Sequence, residues 1–443
     1  TSDRYQKSKI CISSGNICIY IAIDYNINLE LLNTFINENK RKFILCLSDI
    51  HLGIDDSYGQ FKSNRRYLHN FLSKLRFSPN LKELVFNGDL FDQWFIPGDI
   101  DTLCGKSSLN FLERIVENNR EIINDIRNII ADKEIKVTYI PGNHDMLFTS
   151  AEINSIFPGI NQARDSYGLG SYTPEDLPNS IIEHGHRYDF FCAPNHISTT
   201  EDNCDFLLPP GYFYARISAT SFIENLRYYD DFVTDFTLIS NTYSNKNYLE
   251  YLYKSICTFS LRKCPVMESN DEKFIYTLIN GYKENYCIND LLPDLLNEDK
   301  KDSNKLFKDI TLTWNKRQIY NKVPVSISTE AAIKYSIFHS YFDNMAQIQY
   351  FKNPQSKKRI VIFGHTHCAC MIISNNSLDQ KTIYANCGSW LDKSSYPPSM
   401  TFTLLIPPKD KTSPNTFIHL YRYKGDNSIE KLQSQAVTEF SSV

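Results

Sequence analysis

The chain has 443 residues, 42% hydrophobic and 22% charged, with a formal net charge of −4. That length carries one large domain or two ordinary ones. The charge balance excludes the global basic field that draws a protein to nucleic acid or to an anionic membrane. No run of about 20 apolar residues marks a transmembrane segment, so any membrane contact is expected to be peripheral. The 12 cysteines are scattered without a C-x-x-C pair. Thiols such as Cys46 and Cys387 are expected to pack as small apolar groups in a reducing, cytoplasmic setting.

In chain order, residues 1–41 read as an N-terminal accessory segment. It holds a strand pair around Ser13-Ser14-Gly15-Asn16, then a helix over 28–39 with Leu29, Leu32, Phe35 and Ile36 at helical spacing. From residue 42 a β–loop–α rhythm takes over. Phe43 to Leu47 is an apolar strand that ends in Asp49-Ile50-His51. A helix over Tyr67 to Leu75 follows, and then the strand Leu84-Val85-Phe86 runs into Asn87-Gly88-Asp89-Leu90-Phe91-Asp92. Residues 108–130 read as one long amphipathic helix. Val137 to Ile140 leads into Pro141-Gly142-Asn143-His144-Asp145, and Ser180 to Ile182 leads into Glu183-His184-Gly185-His186. Alternation of this kind predicts an α/β core with largely parallel strands.

The rhythm stops over 187–357, where aromatic, helix-period stretches broken by Pro209-Pro210-Gly211 and Pro324 read as a mainly helical insertion or cap. It resumes at Arg359 to Phe363, followed by Gly364-His365-Thr366-His367. Lys381 to Ala385, Thr401 to Ile406 and Thr416 to Tyr423 close the sheet. The core is therefore expected at 42–186 and 358–443.

Five strand ends carry residues able to hold a metal: Asp49 and His51, Asp89, Asn143 and His144, His184 and His186, His365 and His367. Six of the ten histidines fall in this set. In α/β sheets, ligands gather beyond the carboxyl ends of strands. Residues two apart on an extended segment share a side, so Asp49 and His51 are expected to converge on one point, while His365 and His367 can each reach a different ion. Hard oxygen and imidazole nitrogen together suit a divalent transition metal. Gly53, Gly88, Gly142, Gly185 and Gly364 flank these positions and allow close backbone approach.

The ordered series DIH, GDLFD, GNHD, HGH and GHTH resembles the signature of the calcineurin-like metallophosphoesterases. The resemblance spans residues 43 to about 406, and it implies a four-layer αββα sandwich with a two-metal centre at its top. Carried over by motif position, Asp49, His51, Asp89 and His367 hold one ion, and Asp89, Asn143, His184 and His365 hold the other. Asp89 then bridges, as a two-oxygen carboxylate can for ions about 3.5–4 Å apart. His186 competes with His184 for one ligand place and is otherwise expected near substrate. His144 resembles the family's non-ligand histidine, which protonates the leaving oxygen, with Asp145 orienting it. The implied reaction is in-line attack on phosphorus by a metal-bridging hydroxide, with Mn the foremost metal and Fe, Zn, Ni or Co alternatives.

For the substrate, GDLFDQW with Trp94 resembles the hydrolases of the UDP-diacylglucosamine pyrophosphate. Here, though, the insertion is longer and GNHD stands for their GNRD. The GDYVDRG and GNHE of Ser/Thr protein phosphatases are absent. A small phosphorylated substrate is expected: a phosphomonoester, a phosphodiester or a pyrophosphate, with a nucleotide-sugar lipid, a cyclic nucleotide and a phosphoprotein as classes. Trp94, His186 and Arg187 are candidate substrate contacts, and Arg216 and Arg227 are cap arginines within possible reach of a phosphate. The cap aromatics Tyr212, Phe213, Tyr214, Tyr228, Tyr229, Tyr248, Tyr251 and Tyr253 either line a pocket or form the cap's own core. Asp92 is expected to cap a helix or pair with a cation, Asn386 to hold a turn, and Cys368 and Cys370 to pack. His196, His339 and His419 read as surface or core residues. The alternative to an enzyme is a catalytically silent metal-bound scaffold with the cap as docking surface.

Overall fold

Short apolar runs with period-two alternation build the strands. The structure, a computed structural model, describes residues 12–13, 16–17, 26–28, 41–100, 108–166, 168–196, 208–224, 245–261, 275–276, 285–291, 306–307, 309–336, 344–409 and 414–438. In chain order the strands are β1 (Ile12–Ser13), β2 (Asn16–Ile17), β3 (Asn26–Asn28), β4 (Phe43–Leu47), β5 (Leu81–Asn87), β6 (Lys136–Ile140) and β7 (Asn161–Gln162). They continue as β8 (Ser171–Tyr172), β9 (Ser180–Glu183), β10 (Ile275–Tyr276), β11 (Asn285–Tyr286), β12 (Ile360–Phe363) and β13 (Cys370–Asn375). The last are β14 (Lys381–Asn386), β15 (Thr401–Ile406), β16 (Asn415–Tyr423) and β17 (Ser428–Thr438).

Two of these groups are large sheets. One has the order β3-β17-β16-β15-β4-β5-β6-β7, parallel from β4 to β7 and antiparallel from β15 to β17. The other has the order β13-β14-β12-β9-β8, with β9, β12 and β14 parallel between antiparallel edges. Strands buried on both faces read as unbroken apolar runs, and β4, all five residues of it buried, is one.

Alternation then sorts the side chains into layers. Ile44, Cys46, Val85 and Ile140 meet Ile182, Ile360, Ile362 and Ile383 between the sheets. Leu45, Leu47, Leu84 and Phe86 turn the other way, onto the helices Arg65–Leu75, Ser108–Asn118 and Arg120–Asp132. Val361, Phe363 and Tyr384 face outward from the smaller sheet onto Ile217, Tyr253, Trp314 and Ile333 of the helices Pro210–Glu224, Asn245–Leu261, Ile310–Tyr320 and Thr329–Tyr335. Helix, sheet, sheet, helix is the four-layer αββα sandwich expected from the sequence.

One local expectation changes. The helix read over 108–130 is two helices, broken at Asn119. There the Asn118 and Asn119 amides donate to the Gly53 carbonyl at 2.9 and 2.8 Å, so side-chain bonds compete with the helix and tie it to the loop after His51. The strand pair near Ser14-Gly15 is present as β1 and β2, and β3 adds an edge strand alongside β17. The helix expected over 28–39 lies outside the described residues, apart from Asn28 at the end of β3. Among the described residues no helix is long and apolar enough to cross a membrane.

Candidate metal centre

Because β4, β5 and β6 are parallel in one sheet and β9, β12 and β14 in the other, their outgoing loops gather at one end of the sandwich. The backbone there is not extended. Asp49, His51, Asp89, His365 and His367 have φ of 54°, 57°, 52°, 68° and 58°, in the left-handed region that side-chain-bearing residues rarely enter. The convergence expected from extended i, i+2 spacing therefore has another cause: each loop is coiled back on itself, and the side chains are thrown inward. Such conformations persist only where surrounding contacts over-determine them. Here the Asp49, Ile50 and His51 amides donate to the Gly88 and Asp89 carbonyls at 3.2, 3.0 and 2.9 Å. The His365 amide donates to Asp49 Oδ2 at 3.0 Å. Asn386 does hold a turn, donating to the Gly364 carbonyl at 2.7 Å and to Thr366 Oγ1 at 3.1 Å. A Cβ on Gly142 would stand 2.1 Å from Asp89 Oδ1 and 2.3 Å from its backbone nitrogen, so only glycine lets these loops touch.

Asp49, His51, Asp89 and His367 each bring one ligand atom within 4.8 Å of the others. His367 Nε2 is 3.1 Å from Asp49 Oδ1, and His51 Nε2 is 3.8 Å from Asp49 Oδ1 and 3.7 Å from Asp89 Oδ2. On the other side of Asp89, His184 Nε2 lies 3.2 Å from Asp89 Oδ2 and 3.2 Å from Asn143 Oδ1. His365 Nδ1 is 2.9 Å from the same Asn143 oxygen. All seven predicted ligands thus surround one small volume, and Asp49, His51, Asp89, Asn143 and His184 are buried.

The donor chemistry fits cations. His184 Nδ1 is 2.8 Å from the Asn87 carbonyl, which can only accept, so Nδ1 carries a proton and Nε2 is the nitrogen turned toward Asp89 and Asn143. Asp49 Oδ1 and His51 Nε2 are buried without a hydrogen-bond partner, an arrangement that is costly unless a positive charge sits among them. Burial opposes charge on His184, but the Asp89 and Asp49 carboxylates outweigh it and push its pKa up to about 9. Burial likewise opposes ionisation of Asp49, yet the neighbouring His184 and His367 hold its pKa well below the carboxylate range. The site demands positive charge, and divalent ions on nitrogen and oxygen ligands supply it.

His144 is placed differently. Its ring meets the His51 ring edge-on at 4.4 Å and stacks against Trp94 at 4.9 Å. Asp145, expected to orient it, instead accepts backbone N–H groups from Gly142, Leu90 and Phe91 at 2.7, 2.9 and 3.3 Å, lacing two loops together. The partner of His144 Nδ1 is Asp92 Oδ1, at 2.7 Å. Asp92 also accepts from the Trp94 and Phe95 amides at 2.9 Å each, closing a local turn in place of the helix cap read from the sequence, since no helix follows it. The signal was a second carboxylate three residues past Asp89.

The candidate substrate contacts are engaged inside the protein. Trp94 is buried between His144 and Tyr212. Arg187 pairs with Glu183 at 2.9 Å and with Asp165, and it donates to the Asn321 carbonyl at 3.0 Å. His186 Nε2 donates to the Gly168 carbonyl at 2.8 Å. Arg216 donates to Tyr212 and to the Gly98 and Ile100 carbonyls. Tyr212, Phe213 and Tyr253 belong to the buried cluster under the inserted helices. Arg227, Tyr228, Tyr229 and His339 lie outside the described residues. His69 pairs with Asp125 at 2.7 Å, and His419 shares a hydrogen bond with Ser434 at 2.8 Å.

Parallel strands of a two-sheet sandwich delivering carboxylates and imidazoles to one end define the class of a metal-dependent hydrolase. The family described as calcineurin-like phosphoesterase matches residues 44–369, and the chain belongs to that family. It is a phosphoester hydrolase of a family that works with a dinuclear divalent metal centre. Among solved structures, a dimetal phosphatase from Danio rerio matches at 13% identity, covering 90% of this chain and 98% of its own, with a TM-score of 0.33. A putative 5'-nucleotidase from Staphylococcus aureus, in complex with alpha-ketoglutarate, matches at 9% identity, covering 90% of this chain and 55% of its own, with a TM-score of 0.29. Neither score carries an argument about fold or substrate. No curated protein matches the chain, and the narrower likeness to UDP-diacylglucosamine hydrolases finds no support in these comparisons.

Proposed function

We propose that the chain hydrolyses small phosphate esters at a two-ion centre, one ion held by Asp49, His51, Asp89 and His367 and the other by Asp89, Asn143, His184 and His365. The observation that carries this reading is the set of carboxylate, amide-oxygen and imidazole ligand atoms aimed at one buried volume from five loops, with Asp49 Oδ1 and His51 Nε2 left without a hydrogen bond. When bound, two divalent ions lower the pKa of water towards about 7 and offset charge building on phosphate oxygens. Manganese heads the metals that suit such ligands, with iron, zinc, nickel and cobalt as alternatives.

The protein's own groups do the rest. Asp89 serves both ligand sets. Its Oδ2 faces His184 and His51, while its Oδ1 accepts the His144 amide at 2.8 Å and ties the acid's backbone to the bridge. Asp92 holds the Nδ1 proton of His144 and stabilises the imidazolium, which leaves Nε2 to give a proton to the departing oxygen. Packing between His51 and Trp94 fixes the ring plane, so little orientation is lost on reaching the transition state. The segment 187–357, as a helical unit over the smaller sheet, is proposed to select the substrate.

The test is hydrolysis of p-nitrophenyl phosphate and of bis(p-nitrophenyl) phosphate by metal-stripped protein with and without added Mn²⁺. Metal-dependent turnover of either ester supports the reading, and their ratio assigns monoester or diester chemistry. Metal uptake with no turnover of either ester, at any of the five metals, would leave a silent scaffold as the better account.

A further inference from the structure

Asp189 lies outside every motif block, in the segment that follows β9. Its Oδ2 is 2.9 Å from His365 Nε2. The rest of the carboxylate is already fixed. Oδ1 accepts the Phe191 amide two residues on at 2.8 Å, closing a local side-chain turn, and it shares the Ser336 hydroxyl, 3.1 Å away, with the Ala332 carbonyl at 3.0 Å. The Cys192 thiol lies beside the same group, its sulfur within 4.8 Å of a carboxylate oxygen. Asp189 is buried, and both of its oxygens act as acceptors. We propose that Asp189 is the positioning carboxylate of the second metal site, holding His365 so that Nε2–H faces the inserted segment and Nδ1 faces Asn143. This rests on the two-ion reading.

The tautomer follows from the partners. A carboxylate can only accept, so it takes a proton-bearing Nε2 as a further donor, and a neutral imidazole then has only a lone pair at Nδ1. That lone pair points at Asn143 Oδ1, 2.9 Å away, an oxygen that also faces His184 Nε2 at 3.2 Å. One amide oxygen and two imidazole nitrogens brought this close are a donor set that suits a divalent transition metal. A carboxylate behind a ligating histidine fixes its ring and raises its basicity. His365 needs that hold: with φ of 68°, its backbone is in a region of low preference and does not by itself set the ring.

The consequence reaches into the insertion. Ser336 caps the C-terminal end of the helix Thr329–Tyr335. One hydrogen bond joins that helix end to Asp189, and a second joins Asp189 to a metal ligand, so the inserted segment contributes to the geometry of the second ion. Asp189, Cys192 and His365 also bring three ligand-type atoms within 4.8 Å of one another. With Asp189 oxygens already engaged by the Phe191 amide and by His365 Nε2, positioning is favoured over a third ion.

The test is calorimetric titration of Mn²⁺ into the metal-stripped full chain, with bound metal counted by elemental analysis, for the wild type, Asp189→Asn and Ser336→Ala. Asn at 189 keeps an oxygen for the Phe191 turn and removes the charge. Wild type is expected to take two ions. Asp189→Asn should weaken one of them by on the order of ten- to a hundredfold while the other keeps its affinity, and kcat for p-nitrophenyl phosphate should fall with KM unchanged. Ser336→Ala should weaken the same ion by only a few-fold. Two ions bound to Asp189→Asn with wild-type affinity overturn the inference. So does an equal loss at both sites, which marks a purely structural role. Three ions on wild type and two on Asp189→Asn overturn it in favour of direct ligation. A wild type that binds fewer than two ions defeats the two-ion reading itself, takes this inference with it, and is seen before any variant is compared.

Discussion

Asp92 Oδ1 lies 2.7 Å from Nδ1 of His144, and the other oxygen of the same carboxylate lies 3.5 Å from Nδ1 of His51. One buried side chain thereby orients the His144 ring by a hydrogen bond and sets a negative charge beside His51. His51 is aimed at Asp49 and Asp89, and His144 is left with a free edge beside them. Burial works against a charge on Asp92, but His144 and His51 hold its pKa well below the usual carboxylate range.

If His144 is the proton donor, its loss removes chemistry without removing metal. His144→Ala should lower kcat by roughly 10²–10⁴-fold, with the metal count by elemental analysis unchanged. Asp92→Asn should lower kcat by on the order of ten- to a hundredfold through misorientation of the ring. Equal loss of metal in His144→Ala would contradict the role.

Asp89 stands between the two ligand sets, with His184 at 3.2 Å and His51 at 3.7 Å from one oxygen. Asp89→Asn replaces a two-oxygen anion by a neutral amide with one acceptor oxygen. The expected result is at least one ion missing after equilibration with Mn²⁺ and gel filtration. Two ions retained would remove the bridge from the account.

Gly142→Ala tests the close approach of the loops after β5 and β6. The added methyl meets the Asp89 backbone nitrogen at 2.3 Å, and a backbone atom cannot swing aside. Overpacking of this sort costs about 1–3 kcal/mol, and here the displaced residue is also a ligand. The melting temperature and the metal content should therefore fall together. A fall in neither would mean that the loops have slack the contacts do not suggest.

His419, far from the centre on β16, offers a pH test of stability alone. Burial, aided by Lys431, pushes its pKa down to about 4, whereas an unfolded histidine titrates near about 6.5. Between those values the unfolded chain binds the extra proton. The contribution is thus fully present above pH ~6.5 and is lost as pH falls through about 4. With the ring partly exposed, we expect on the order of 2 kcal/mol across that window. Denaturant melts of metal-stripped protein should show a shallower acid decline for His419→Gln than for wild type. Parallel declines would contradict the burial argument.

Much of this was legible because apolar runs name the central strands, and polar residues that interrupt them stand out. Asp49, Asp89, Asn143, His184 and His365 each follow such a run directly. The coiled backbone was not legible, since aspartate and histidine enter φ near +55° more often than most residues but still rarely; tertiary bonds impose it here. Asp92 was visible in GDLFD, but its partner, 52 positions along the chain, was not. Asp189 sits in an aromatic stretch that gives no periodic cue, and its partner is 176 positions away. Strand β17, SIEKLQSQAVT, was missed because only a few of its side chains are buried and polar residues fill the other positions. The break at Asn119 comes from bonds to Gly53, a residue that helical spacing cannot see.

The most direct measurement is anomalous diffraction from crystals of the full chain grown with Mn²⁺. The account predicts two peaks about 3.5–4 Å apart, one within reach of Asp49, His51 and His367, the other within reach of Asn143, His184 and His365, with Asp89 between them. A single peak, or two peaks that do not share Asp89, would contradict it.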